Sequence, residues 1–127
     1  MKNFLVTGGA GFIGSNLVRA LLKRGDKVRI LDDLSSGRRE NLAGIESDVE
    51  FVEGDLRDEA TLARVVEGRD FILHQAAIPS VTRSVSEPGL THDVNVNGTF
   101  RLFEAARAAG VQRIVFAGSS AVYGDSE

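Results

Sequence analysis

A glycine-rich turn, Thr7-Gly8-Gly9-Ala10-Gly11-Phe12-Ile13-Gly14, constrains this chain more than any other stretch. The short apolar run Phe4-Leu5-Val6 before it is long enough for a buried strand. After it, Phe12, Ile13, Leu17, Val18, Leu21 and Leu22 recur at helical spacing. Gly8, Gly11 and Gly14 therefore sit where a strand turns sharply into a helix, the context a dinucleotide-binding turn needs. Gly8 permits the tight turn, Gly11 lets a pyrophosphate approach the backbone, and Gly14 lets the helix pack close to the strand. The unpaired N–H groups and positive dipole end of the helix then face the phosphates. The spacing G-x-x-G-x-x-G differs by one residue from the G-x-G-x-x-G fingerprint, so the reading needs support from residues further along the chain.

The bulk numbers narrow the classes. The chain has 127 residues, 43% hydrophobic and 26% charged, which suits one domain with one core. A net charge of −3 argues against a nucleic-acid or polyanion partner. The absence of cysteine excludes a disulfide framework and thiolate chemistry, and suits a cytoplasmic location. With only His74 and His92 in the chain, no metal site is expected. No apolar run approaches a membrane span, and Met1-Lys2-Asn3 leads into the first strand without signal-peptide anatomy.

Along the chain, strands alternate with helical segments. A first helix is expected over residues 11–24, with Gly25 after it. Strands follow at residues 28–31, 49–52, 70–74 and 113–117, and residues 38–43 suit a short helix. Asp58 is a candidate N-cap for a helix through Leu62, Val65 and Val66. Pro88 suits the first turn of a long helix that ends near Gly110. The strands are continuous apolar runs, the mark of a parallel sheet covered on both faces. The expected fold is α/β: a Rossmann-type doubly wound parallel sheet of five strands in the order 3-2-1-4-5, with right-handed crossovers.

The chemistry-bearing residues cluster after the strands. Asp32 ends the second strand, 18 residues beyond Gly14, where a carboxylate can accept both ribose hydroxyls of an adenosine. It would also repel a 2′-phosphate, which favours NAD over NADP. Arg38 and Arg39 lie in a loop and read as solvated. Asp55, after the third strand, is placed to accept from an adenine amino group, with Leu56 offering backbone contacts to the ring. Ala76 and Ala77 follow the fourth strand, at the switch point, and leave room for a cofactor beside the backbone. His74 is ambiguous, and a strand-end histidine more often serves structure than catalysis. Asn95 and Asn97 are poor helix formers inside a helical stretch. Either residue can bond neighbouring backbone or reach the cofactor, and a mixture of the two is expected. Ser119 and Ser120 follow the fifth strand and can hydrogen-bond a substrate hydroxyl or carbonyl; no triad is available to make either a nucleophile.

Taken together, these motifs make the chain resemble the N-terminal part of an extended short-chain dehydrogenase/reductase. Within that family it is similar to the NAD-dependent nucleotide-sugar epimerases and dehydratases. Asp32-Asp33, Gly54-Asp55-Leu56, His74-Gln75-Ala76-Ala77, Asn95-Val96-Asn97-Gly98-Thr99 and Ser119-Ser120-Ala121-Val122-Tyr123-Gly124 match in order behind the glycine turn. The UDP-hexose 4-epimerase branch fits best, because dehydratases usually carry Thr-Asp-Glu where this chain has Ser119-Ser120-Ala121. The resemblance implies that Gly8, Gly11, Phe12, Ile13 and Gly14 hold the pyrophosphate region of NAD. It places Asp32 on the adenosine ribose with Asp33 and Ser36 close by, Asp55 and Leu56 on adenine, and Ala76, Ala77 and Asn95 along the dinucleotide. It implies that Ser119 holds the reacting hydroxyl of a UDP-sugar, with Ser120 able to take its place, and that Ser80, Arg83 and Ser84 line the sugar site.

One departure is large. The family's proton acceptor is the Tyr of a Tyr-x-x-x-Lys motif, and no lysine follows Tyr123. On the family pattern, the chain reads as an NAD-binding domain over residues 1–127, truncated after the fifth strand, with the later strands and substrate domain missing. It is expected to bind NAD without turnover. A non-catalytic NAD-binding module is the competing class, and the serine pair leans toward an enzyme parent. The fifth strand is expected to leave an exposed edge that favours a homodimer or other self-association.

Overall fold

The computed structural model describes residues 1–125 and, at Val81, the backbone alone. Alternation along the first strand sets the architecture. In β1 (Asn3–Thr7), Phe4 and Val6 join one apolar cluster and Leu5 the other. The strand is buried from Phe4 onward, so both faces are covered. On the Phe4 and Val6 face lies α1 (Phe12–Lys23), which contributes Val18 and Leu21. On the Leu5 face lie α2 (Glu59–Val66) and a later helix, which contribute Leu62, Val65, Val66, Leu102 and Ala106. Leu5, Leu62, Ile72 and Leu102 are buried to within 1% of full burial, each side chain contributing about 2 kcal/mol of apolar transfer.

The sheet continues with β2 (Lys27–Asp32), β3 (Val49–Glu53), β4 (Phe71–His74) and β5 (Arg113–Phe116). Its order is β3-β2-β1-β4-β5 and every pairing is parallel, as expected. The order reverses between β1 and β4, so the loops after these two strands leave in opposite directions and open a crevice. Asp58 caps α2 as expected: its carboxylate accepts from the Ala60 N–H at 3.2 Å and the Thr61 hydroxyl at 2.7 Å.

The short helix expected over residues 38–43 forms as a 3-10 helix, Arg39–Leu42. Two segments depart from the sequence expectation. A helix that was not expected, α3 (Val81–Ser86), is capped by the Ser80 hydroxyl, which accepts from the Arg83 N–H at 3.1 Å. The long helix after Pro88 is three pieces in series: α4 (Pro88–His92), a π segment (Asp93–Gly98) and α5 (Thr99–Ala108). The widened turn falls on the two asparagines and Gly98, where intrinsic helix preference is weakest.

β5 is an outer strand and the least buried of the five. Val115 and Phe116 are more than half exposed, and Phe103 covers Phe116 from one side at 5.9 Å between ring centroids.

Candidate functional site

The carboxyl ends of β1, β2, β3 and β4 surround a cleft of about 500 Å³, within the range of small-molecule sites. The glycine turn forms one wall. Gly8 adopts φ +68°, and a Cβ there would lie 2.9 Å from the Ala76 nitrogen of the loop after β4. A Cβ at Gly14 would collide with the Gly8 carbonyl oxygen and sit 2.9 Å from the Gly9 Cα. So these two glycines let the turn fold onto itself and onto β4. No side chain caps the start of α1, and its first turn carries no acidic residue. The N–H groups there, with the positive end of the helix, are left to an outside anion. Gly11, Phe12 and Ile13 line the cleft at that point.

Beneath the turn, a buried polar network fixes the floor. The Thr7 hydroxyl accepts from the Gln75 and Ala76 N–H groups, both at 3.1 Å, and contacts His74 Nδ1 at 2.5 Å. With two bonds accepted, the hydroxyl proton goes to Nδ1. The ring proton then sits on Nε2 and is donated to the Thr99 hydroxyl at 2.9 Å. Burial pushes the imidazole down to about 4, so it is neutral near pH 7. Both ring nitrogens are engaged and His74 is 5% exposed, which makes it a brace between β1, β4 and α5.

The opposite wall carries acids. Asp32, 7% exposed, accepts from the Ala10 N–H at 2.9 Å through Oδ2 and from the Leu34 N–H at 2.8 Å through Oδ1. A carboxylate has about four lone-pair sites, so each oxygen keeps one for a ligand. Asp33 and Ser36 line the cleft beside it. Arg39 is engaged elsewhere, over the Phe51 ring at 4.3 Å and against Glu53 at 3.4 Å. At the far end Asp55 and Leu56 face the cleft. The Arg57 guanidinium beside Asp55 holds its carboxyl below the usual carboxylate range.

The site therefore brings together Gly8, Gly11, Phe12, Ile13, Gly14, Asp32, Asp33, Ser36, Asp55, Leu56, Ala76, Ala77 and Arg83. Asn95 stands behind the wall. Its carboxamide accepts from the Ile78 N–H at 2.7 Å and donates to the Ile78 carbonyl at 3.0 Å, holding a lining residue in place. Asn97 bonds the Asp93 carboxylate at 3.0 Å. Ser80 is occupied as the α3 cap, and Ser84 lies one turn on in the same helix. Ser119 and Ser120 do not line this cleft, because β5 lies one strand further from the switch point. The Ser119 hydroxyl accepts from the Ala121 N–H at 3.1 Å and begins the 3-10 turn Ser120–Tyr123.

Sequence reasoning missed Arg57, Gln75, Ile78 and Pro79, which also line the cleft. Arg57 had a signal: it lies two residues beyond an acid in the turn after a strand. Thr7 had one too, as a polar residue closing an apolar strand. Among the described residues, no group of three or more His, Asp or Glu is placed to hold a metal ion.

A family model described as "NAD dependent epimerase/dehydratase family" matches residues 4–127. The chain belongs to that family. The UDP-glucose 4-epimerase of Mycolicibacterium smegmatis is 51% identical over 124 residues, which are 94% of this chain and 40% of that protein. The crystal structure of a UDP-glucose-4-epimerase from Stenotrophomonas maltophila, with bound NAD and formylated UDP-arabinopyranose, superimposes with TM-score 0.92 at 36% identity. It covers 100% of this chain and 40% of that one. A dTDP-glucose 4,6-dehydratase double mutant from Streptomyces venezuelae, with NAD bound, gives TM-score 0.91 at 43% identity over 98% of this chain and 41% of that one. The chain thus spans about two-fifths of the length of each of these proteins. Among the described residues, no helix is long and apolar enough to cross a membrane.

Proposed function

We propose that these residues form the NAD-binding part of a cytoplasmic enzyme that interconverts UDP-hexoses at C4. The observation that carries the reading is the single cleft joining an uncapped helix start to two separate carboxylates, Asp32 and Asp55. That arrangement suits a pyrophosphate flanked by a ribose and a purine. Bound NAD supplies reversible uptake of hydride from the sugar. The chain's own residues do the rest. Gly8, Gly11 and the first turn of α1 hold the pyrophosphate. Asp32 uses its two free lone pairs on the ribose hydroxyls, and its charge, with Arg39 turned away, selects NAD over NADP. Asp55 and Leu56 hold adenine. Ala76 and Ala77 keep the crevice open, and Asn95 supports its rim through Ile78.

On the sugar side, Ser119 keeps its hydroxyl proton for donation while its oxygen caps the following turn. Ser120 follows it, and Ser80, Arg83 and Ser84 sit on the α3 side. These 127 residues hold no Tyr-x-x-x-Lys pair, so a peptide of this sequence binds NAD without epimerising. The likeness to a dTDP-glucose 4,6-dehydratase supports a second reading, elimination chemistry on a nucleotide sugar. Ser119-Ser120-Ala121, with no acid among them, favours epimerisation. The open β5 edge supports self-association of the chain.

A chimera tests the reading. Residues 1–127 replace the matching part of the Mycolicibacterium smegmatis enzyme. The expected result is NAD carried through purification and interconversion of UDP-glucose and UDP-galactose. A folded, NAD-loaded chimera that converts neither sugar, or that dehydrates dTDP-glucose instead, overturns it.

A further inference from the structure

The turn after β3 is tied to the long helix at three points that the assignment of the cleft to NAD does not use. The Cβ that Gly98 lacks would lie 3.1 Å from Leu56 Cβ, so the bare backbone of the π segment seats the buried Leu56 side chain. The Arg101 guanidinium donates to the Arg57 carbonyl at 3.4 Å. Arg57 Nη1 reaches the Asp93 carboxylate at 3.9 Å. Held this way, Arg57 turns the rest of its guanidinium onto Asp55. Nη2 donates to Oδ2 at 2.6 Å, Nε lies 3.1 Å from both carboxylate oxygens, and the Arg57 backbone N–H donates to Oδ1 at 2.9 Å. A carboxylate pinned by a planar fork and a backbone donor has one orientation. The contacts occupy about three of its four lone-pair sites. Asp55 still lines the cleft, with 35% of its side chain exposed, so the remaining site is open to a ligand.

We propose that Arg57 is a positioning residue that makes this cleft read the 6-amino group of a purine. Resting on the assignment of the cleft to NAD, it aims the one free Asp55 lone pair at that group. An ionised, acceptor-only carboxylate takes a hydrogen bond from the exocyclic amine of adenine and faces acceptor to acceptor against the 6-oxo group of hypoxanthine. Without the fork, only the Arg57 backbone N–H holds Asp55, on Oδ1; the carboxylate then turns about its Cβ–Cγ bond and the preference is lost. A purely structural arginine would instead weaken both nucleotides alike.

The test is calorimetric binding of NAD and of its hypoxanthine analogue to the 127-residue chain. It compares the unaltered protein with Arg57→Lys, Arg57→Gln, Asp55→Asn and the Arg57→Gln/Asp55→Asn double variant. Circular dichroism confirms that each is folded. The unaltered chain is expected to prefer NAD by about tenfold, the worth of one charge-assisted hydrogen bond. Arg57→Gln and Asp55→Asn should each bring the ratio below about twofold, and the double variant should add nothing to Asp55→Asn. Arg57→Lys, which keeps the charge but not the fork, should fall between. An unchanged ratio in Arg57→Gln, or an equal loss for both nucleotides, overturns the positioning role alone. Binding of neither nucleotide by the unaltered chain overturns the assignment of the cleft to NAD and this proposal with it.

Discussion

The two outer strands occupy equivalent places in the sheet and are finished differently. Beside β3, Arg39 lies over Phe51, and the turn after the strand is pinned by Arg57, Asp58 and Leu56. Beside β5, Val115 and Phe116 stand more than half exposed, and the turn after the strand is held by its own serine cap. At the β3 end the turn is tied to the long helix, by Arg57 to Asp93, by Arg101 to the Arg57 carbonyl and by Leu56 against Gly98. At the β5 end the apolar side chains face outward. The difference separates an end braced by contacts between elements from an end that leaves apolar side chains exposed. A site is rigid where its residues bond across elements, and open where they bond only to their own loop.

The cleft is most vulnerable at Gly14, in the glycine turn after β1. In Gly14→Ala the new methyl meets the Gly8 carbonyl, and the turn has no free space to yield. Urea titration should show a loss on the order of 3 kcal/mol or more, together with loss of NAD binding. A variant of near-native stability would mean that the turn is softer than its packing.

His74 gives the next effect, and its sign follows from its burial. The imidazole sits at about 4 in the folded chain, against an ordinary value of 6.5. Between those values the unfolded chain binds more protons, so stability falls as pH drops from about 6.5 to 4, by up to about 3 kcal/mol. Above about 6.5 this contribution is constant. His74→Gln should flatten that part of the stability profile, and a slope that survives the substitution would assign it to other groups.

Asp32→Asn probes the same cleft through its charge. It removes the carboxylate that accepts from the Ala10 and Leu34 N–H groups, and unfolding should show a loss of about 2 kcal/mol. NAD affinity should fall about tenfold, with discrimination against NADP reduced.

The smallest effect on stability belongs to the open end. Val115→Lys, on the exposed side of β5, should change unfolding free energy by less than about 0.5 kcal/mol. The same substitution should shift sedimentation from associated toward monomeric chain. Unchanged association would move the contact away from β5.

Periodicity and turn chemistry carried the fold. The five strands, their order and the Asp58 cap could all be read from apolar runs and helix-start residues. What escaped was short or non-periodic. α3 is six residues long with no apolar stripe, and the break in the long helix is a backbone event that two asparagines only hint at. Most of the cleft's lining was legible because each strand-end motif lies where the parallel topology converges. Ser119 and Ser120 were read as part of the same crevice, and the sheet instead carries them one strand aside. Arg57 went unread because its part depends on Asp93 and Arg101, far away in the chain and close only once folded.

The Thr7 and His74 contact spans 67 positions, and it closes the floor on which Gly8 and Ala76 meet. Loop closure over that distance is slow compared with forming α1 or the β1–β2 pair, whose contacts are nearer in sequence. Until this seam shuts, the chain has a glycine turn and acids but no cavity. On the proposed function, nucleotide affinity is therefore expected to appear during refolding only when the β1–β4 seam closes.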